Sequence, residues 1–112
     1  MKKDDTVYLR HILDSINSVE QYLEGISIET FMKDKLIQDG IIRRLEIIDE
    51  ASRNISQTFR EQYSGIPWGQ IIGLRNRIIH AYFNINLTTI WDIVQDELPS
   101  LKQNVENILG GT

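Results

Sequence analysis

The constraint that dominates this sequence is a spacing. Tyr8, Ile12, Ile16, Val19, Leu23 and Ile26 follow one another at steps of three or four residues, the repeat of one face of an α-helix. Leu9, Leu13 and Tyr22 widen the stripe, and Gly25 and Ser27 end it. Ser27 with Thr30 and Phe31 predicts a short helical turn. A second stripe, Ile37, Ile41, Leu45, Ile48, Ser52, Ile55 and Phe59, predicts one further helix with Asp34 as its N-cap. Gly40 lies inside it and weakens it by about 1 kcal/mol relative to Ala. A close helix crossing is the usual reason to carry such a glycine.

The segment Tyr63-Ser64-Gly65-Ile66-Pro67-Trp68 is the clearest break. Glycine stops one helix, and proline suits the first turn of the next. A third helix is predicted over residues 67–82, with Trp68, Ile71, Ile72, Leu74, Ile78 and Ile79 as its apolar residues. Phe83-Asn84-Ile85-Asn86 is a short connection, and Asn86 is the N-cap of the last stripe: Leu87, Ile90, Trp91, Val94, Leu98, Leu101, Val105 and Ile108. Pro99 lacks an N–H and should kink or restart that helix. The Gly110-Gly111-Thr112 tail should fray. No strand alternation and no internal repeat appear. The expectation is an all-α protein, an antiparallel bundle of about four or five helices, with residues 1–112 forming one domain.

Composition narrows the function. At 112 residues, the chain is the size of one domain with one core. It contains no Cys, which excludes a disulfide scaffold, a Cys-ligated zinc site and an iron–sulfur cluster. The N-terminus is basic and then acidic, with no apolar stretch behind it, so it does not read as a signal peptide. No run approaches the roughly 20 apolar residues that cross a bilayer. A cytoplasmic protein is the expectation, without a membrane partner. The net charge of −4 argues against general duplex binding, but it is unevenly spread. Residues 1–40 and 78–112 each carry a net −3, and residues 41–77 carry a net +2. All six basic residues of the middle segment are Arg: Arg43, Arg44, Arg53, Arg60, Arg75 and Arg77. Arg suits bidentate phosphate contacts. A solvated helix face with internal ion pairs is the competing reading.

The end of the third predicted helix, Arg75-Asn76-Arg77-Ile78-Ile79-His80-Ala81-Tyr82, mixes polar and apolar residues beyond what amphipathicity requires. At about 100° per residue, Arg75 and His80 lie about 140° apart, Asn76 and His80 stack, and Arg75 and Tyr82 share a face. One helix would then carry a cation, an amide, an imidazole and a phenol in one strip. These groups suit phosphate chemistry: an imidazole can accept and return a proton, and a guanidinium can bind a phosphate and stabilise charge developing on it. In RNA the 2′-OH supplies the nucleophile, so no metal and no protein nucleophile is required. The alternative is that His80 packs at a helix C-terminus, where an imidazolium interacts well with the dipole. Other constellations fail. His11 and Asp14 lack a third metal ligand. Gly69 and Gly73, four apart, point to a close helix crossing sooner than to a ligand site. Glu46, Asp49 and Glu50 lie at pairing distance in sequence from Arg43, Arg44 and Arg53.

Several blocks, in order, resemble a known family. They are Tyr8-Leu9-Arg10-His11-Ile12-Leu13, Gln38-Asp39-Gly40-Ile41-Ile42-Arg43-Arg44-Leu45-Glu46-Ile47-Ile48-Asp49-Glu50-Ala51, Ile66-Pro67-Trp68, the R-x4-H-x-Y segment from Arg75 to Tyr82, and Ile90-Trp91-Asp92-Ile93-Val94. The chain resembles HepT-type members of the HEPN superfamily, small all-α ribonuclease toxins of type VII toxin–antitoxin systems. The resemblance spans nearly the whole chain. It implies a homodimer in which Arg75 and His80 of both subunits form a composite site. It implies metal-independent RNA cleavage without a cofactor, with His80 as acid/base, Arg75 as phosphate ligand and Asn76 as a polar aide. It implies a minimal nucleotidyltransferase antitoxin that transfers AMP to the motif tyrosine, Tyr82. A second function within the superfamily is a non-catalytic module presenting RNA or nucleotide to that partner. Asp49 departs from the family block, which usually carries a small residue, Gly, there.

Overall fold

The computed structural model describes residues 3–80 and 84–111. In chain order these form α1 (Lys3–Leu23), α2 (Ile28–Lys33), α3 (Lys35–Asn54), α4 (Gln57–Gln62), α5 (Trp68–Ile72), α6 (Leu74–Ile78), β1 (Ile79–His80), β2 (Asn84–Ile85), α7 (Leu87–Asp92) and α8 (Leu98–Gly110). A π-helical turn, Ile93–Glu97, joins α7 to α8. Among the described residues the protein is all-α apart from a two-residue antiparallel ladder, in which Ile79 faces Ile85 and His80 faces Asn84.

The first two apolar stripes account for the centre. Leu9, Ile12, Ile16 and Val19 of α1 and Ile41, Leu45 and Ile48 of α3 are all buried. Fully burying each such side chain is worth about 1.5–3 kcal/mol against leaving it in water. The two helices run antiparallel. Tyr22 near the end of α1 lies over Gly40 near the start of α3, where an added Cβ would meet the ring at 3.2 Å. The expected close crossing is there, and an exposed aromatic side chain makes it. Phe31 of α2 is buried under Trp91, with ring centroids 5.4 Å apart. The last stripe closes the bundle: Ile90, Val94, Leu98, Leu101, Val105 and Ile108 are buried.

The predicted caps Asp34 and Asn86 form, and Ser27 caps the short helix α2. Ser27 accepts from Thr30 N at 3.2 Å, Asp34 from Ile37 N at 3.1 Å and Asn86 from Thr89 N at 3.0 Å. Gly25 leaves α1 at φ 72°, a conformation suited to glycine. Pro99 falls in the first turn of α8, and the helix accommodates it by restarting. Leu98 N–H reaches back five residues to Ile93 C=O across the π turn.

Three expectations are corrected. The stripe from Ile37 to Phe59 is two helices, α3 and α4, because Ser56 leaves helical geometry to cap α4. Asp5, buried at the start of α1, accepts from both Ser56 N and Ser56 Oγ at 2.8 Å, while Ser56 Oγ accepts from Phe59 N. That pair of bonds joins residues 51 apart and fixes the break. The third helix does not run over 67–82. It breaks at Gly73 and ends at Ile78, where the chain enters β1. Glycine disfavours helix interiors, and the β-branched pair Ile78-Ile79 suits the extended exit. Asn86 N–H then takes Ile78 C=O at 2.9 Å. Gly69 and Gly73 mark no helix crossing: an added Cβ at Gly69 would meet nothing within 4 Å, and one at Gly73 would meet only nearby helix carbonyls, Gly69 O at 3.4 Å first.

Candidate active site

Arg75 and Asn76 lie on α6, and both are exposed. His80 lies on β1, two residues beyond the helix end. Tyr82 lies outside the described residues. Arg75, Asn76 and His80 therefore do not share one helical strip: the arginine end is helical and the histidine end is extended.

The two arginines of the segment have different fates. Arg77 is half-buried and forms a fork-to-fork pair with Glu97 of the π turn, Nη1 donating to Oε1 at 2.8 Å and Nη2 to Oε2. The Glu97 hydrogen bond holds the Arg77 guanidinium above its ordinary range, against the opposing effect of burial. Arg77 is a structural cation that ties the motif to the last helical run. Arg75 is 67% exposed, and among the described residues its head group has one ionic neighbour, Glu46 Oε2 at 3.9 Å from Nε. An exposed pair at that distance is worth under about 1 kcal/mol, so a phosphate can displace it. Of the two arginines of the segment, Arg75 is the more exposed and the more weakly paired.

The acidic residues of α3 do more than pair along their own helix. Asp49 does bridge Arg53 at 2.7 Å, as i,i+4 spacing predicts. Asp49 also accepts from Arg75 N at 3.0 Å, and Glu46 reaches the Arg75 side chain. Arg53 in turn donates to Ile72 C=O at 2.7 Å. The α5–α6 junction is thus held from α3. The signal for this was in the sequence: Asp49 lies four residues after Leu45 and three before Ser52, on the buried face of α3. An acid there has to find partners inside the protein.

A shallow groove of about 150 Å³ lies between α1 and α3, lined by Tyr8, His11, Arg43 and Glu46 among others. Tyr8 and His11 meet edge to face there, with centroids 6.1 Å apart. Among the described residues, no three His, Asp or Glu side chains converge to hold a metal ion. No described helix is long and apolar enough to cross a membrane.

The chain is a small helical bundle whose sequence carries R-x4-H-x-Y from Arg75 onward, starting on α6, and this combination points to the HEPN class. The family model described as "Ribonuclease HepT-like" matches residues 12–108, and the chain belongs to that family. Curated relatives agree. A protein of Methanocaldococcus jannaschii named "Putative RNase" is 42% identical over 105 residues, 94% of this chain and 96% of the relative. "Probable ribonuclease HepT" of Thermococcus cleftensis is 38% identical over 108 residues, 96% of this chain and 98% of the relative. A second M. jannaschii protein, "Gamma-glutamylcyclotransferase and putative RNase", is 39% identical over 109 residues, 97% of this chain. The chain spans about half of that relative, 49%. No solved structure matches the chain.

Proposed function

We propose that the chain is a metal-independent endoribonuclease, the toxin of a type VII toxin–antitoxin pair, acting in the cytoplasm as a homodimer. The observation that carries this reading is the exposure of Arg75 beside the fully engaged Arg77, in a chain of the HepT-like ribonuclease family. In the proposed reaction one His80 accepts the proton of the RNA 2′-OH. The 2′ oxygen bonds to the adjacent phosphorus, and the P–O5′ bond breaks. The His80 of the second subunit, protonated, delivers a proton to the departing O5′. The products are a 2′,3′-cyclic phosphate and a 5′-OH. Arg75 holds the nonbridging oxygens as charge builds on them, and Asn76 offers an amide donor nearby. The whole exchange is intramolecular in the RNA strand, which is why it requires no metal-activated water.

The test is cleavage of end-labelled RNA in excess EDTA, beside the same strand with 2′-deoxy substitution. RNA cleavage that survives EDTA, disappears with 2′-deoxy substitution and leaves cyclic phosphate ends is the expected result. Intact RNA after incubation with protein of verified unmodified mass would overturn the reading and favour a non-catalytic module that presents RNA or nucleotide to a partner.

The proposed antitoxin is a minimal nucleotidyltransferase that moves AMP from ATP to the Tyr82 hydroxyl, releasing pyrophosphate. An added phosphate there brings negative charge and strong acceptors to the motif; it would occupy Arg75 and repel RNA. Co-expression with such an enzyme is expected to add one or more AMP masses to the wild-type chain and none to Tyr82→Phe. Modification that persists in Tyr82→Phe would place the acceptor elsewhere.

A further inference from the structure

Asp49 is a buried charged side chain that the chemistry above leaves unused. Its side chain is 4% exposed, and both of its oxygens are committed. Oδ1 accepts from Arg53 Nε at 2.7 Å, and Oδ2 accepts from the Arg75 backbone N–H at 3.0 Å. Arg53 extends the arrangement by donating from Nη2 to Ile72 C=O at 2.7 Å.

The two backbone groups gripped are those that the break at Gly73 leaves in need. In an unbroken helix, Arg75 N–H would donate to Ile71 C=O, and Ile72 C=O would accept from Asn76 N–H. At the junction, Gly73 N–H donates to Gln70 C=O at 3.3 Å, and Arg75 N–H turns to Asp49 instead of Ile71. Gly73 carries no side chain with which to cap α6, and α6 has no capping side chain of its own. Asp49 supplies the missing acceptor after the glycine, and Arg53 supplies the missing donor before it. Glycine is the residue least able to hold a backbone angle by itself, so the angle between α5 and α6 rests on this pair.

We infer that Asp49, with Arg53, is a positioning pair that sets the α5–α6 junction and thereby fixes where the Arg75 guanidinium meets RNA. The inference rests on the reading of Arg75 as phosphate ligand. Two features favour positioning over stability alone. The residue held by its backbone is Arg75 itself, and Glu46, on the same face of α3, reaches the Arg75 head group at 3.9 Å. The charges of Asp49 and Arg53 also offset one another, so a carboxylate sits next to an anion-binding residue with little repulsion of the anion.

The test uses the full chain. In Asp49→Ala, amide hydrogen exchange at Arg75, followed by NMR, is expected to accelerate about 10-fold or more, because its acceptor is gone. Exchange in the centres of α1 and α3 should stay as in wild type. Asp49→Asn should fall between, since its carbonyl can accept from Arg75 N–H but its amide cannot accept from Arg53. For RNA cleavage, Asp49→Ala is expected to lower kcat/KM by about 10-fold, mainly through KM, as misplacement of a binding group does. In an Arg75→Ala background the same change should have no further effect. Should Asp49→Ala fail to fold, Arg53→Lys replaces it: the ion pair can persist while the bridge to Ile72 is lost, and the same two readouts should move in the same direction by less.

Unchanged Arg75 exchange in a folded variant would overturn the inference. So would an additive loss of cleavage in the Arg75→Ala background, which would mean that Asp49 acts elsewhere. If wild type cleaves no RNA, the nuclease reading falls, while the exchange data still decide whether the pair holds Arg75.

Discussion

RNA cleavage by His80→Ala is expected to fall about 10²- to 10⁴-fold, the usual worth of a positioned acid or base, with helix content and sedimentation unchanged. The fold should tolerate the change because the β1–β2 ladder pairs the His80 and Asn84 backbones, and alanine keeps those groups. The wild-type rate should be bell-shaped in pH, since one imidazole must be neutral to take the 2′-OH proton and the other charged to return one. The sign follows from those roles. The acidic limb falls as the base becomes protonated, and the alkaline limb falls as the acid loses its proton. His80→Ala should lose both limbs together with the rate. An alanine variant that retains the bell and the rate would remove His80 from the chemistry and leave its place in the motif structural.

The architecture of this protein was largely legible in its sequence, because a helix writes itself into apolar spacing. The stripes in α1, α3 and the run from Leu87 to Ile108 supply most of the core, and Ser27, Asp34 and Asn86 cap where short polar residues precede helical runs. The departures share one physical cause: a contact distant in sequence overrode local periodicity. Asp5 ends α3 from 51 residues away, and Asp49 and Arg53 stabilise the break at Gly73 from another helix. Periodicity continues through both breaks, since the buried residues on either side still face one core. The motif residues were selected by identity and spacing, but their arrangement was not recoverable from an assumed continuous helix. His80 belongs to an extended segment, and the difference between Arg75 and Arg77 depends on Glu97, which the sequence places 20 residues later.

Mixing wild-type and inactive chains is the sharpest test of how the site is assembled. In the proposed reaction one His80 is the base and the other subunit's His80 is the acid, so a dimer of one wild-type chain and one His80→Ala chain should be nearly inert. Co-folded from one denatured equal mixture, roughly a quarter of randomly paired dimers carry two wild-type chains and about half are mixed. Cleavage should therefore fall to about a quarter of that of the same amount of all-wild-type dimer, because the mixed dimers contribute little. If each chain worked alone, the same mixture should retain about half. Native mass spectrometry of differently tagged chains would confirm that mixed dimers formed. About half of the wild-type rate in a sample rich in mixed dimers would overturn the composite site while leaving His80 essential.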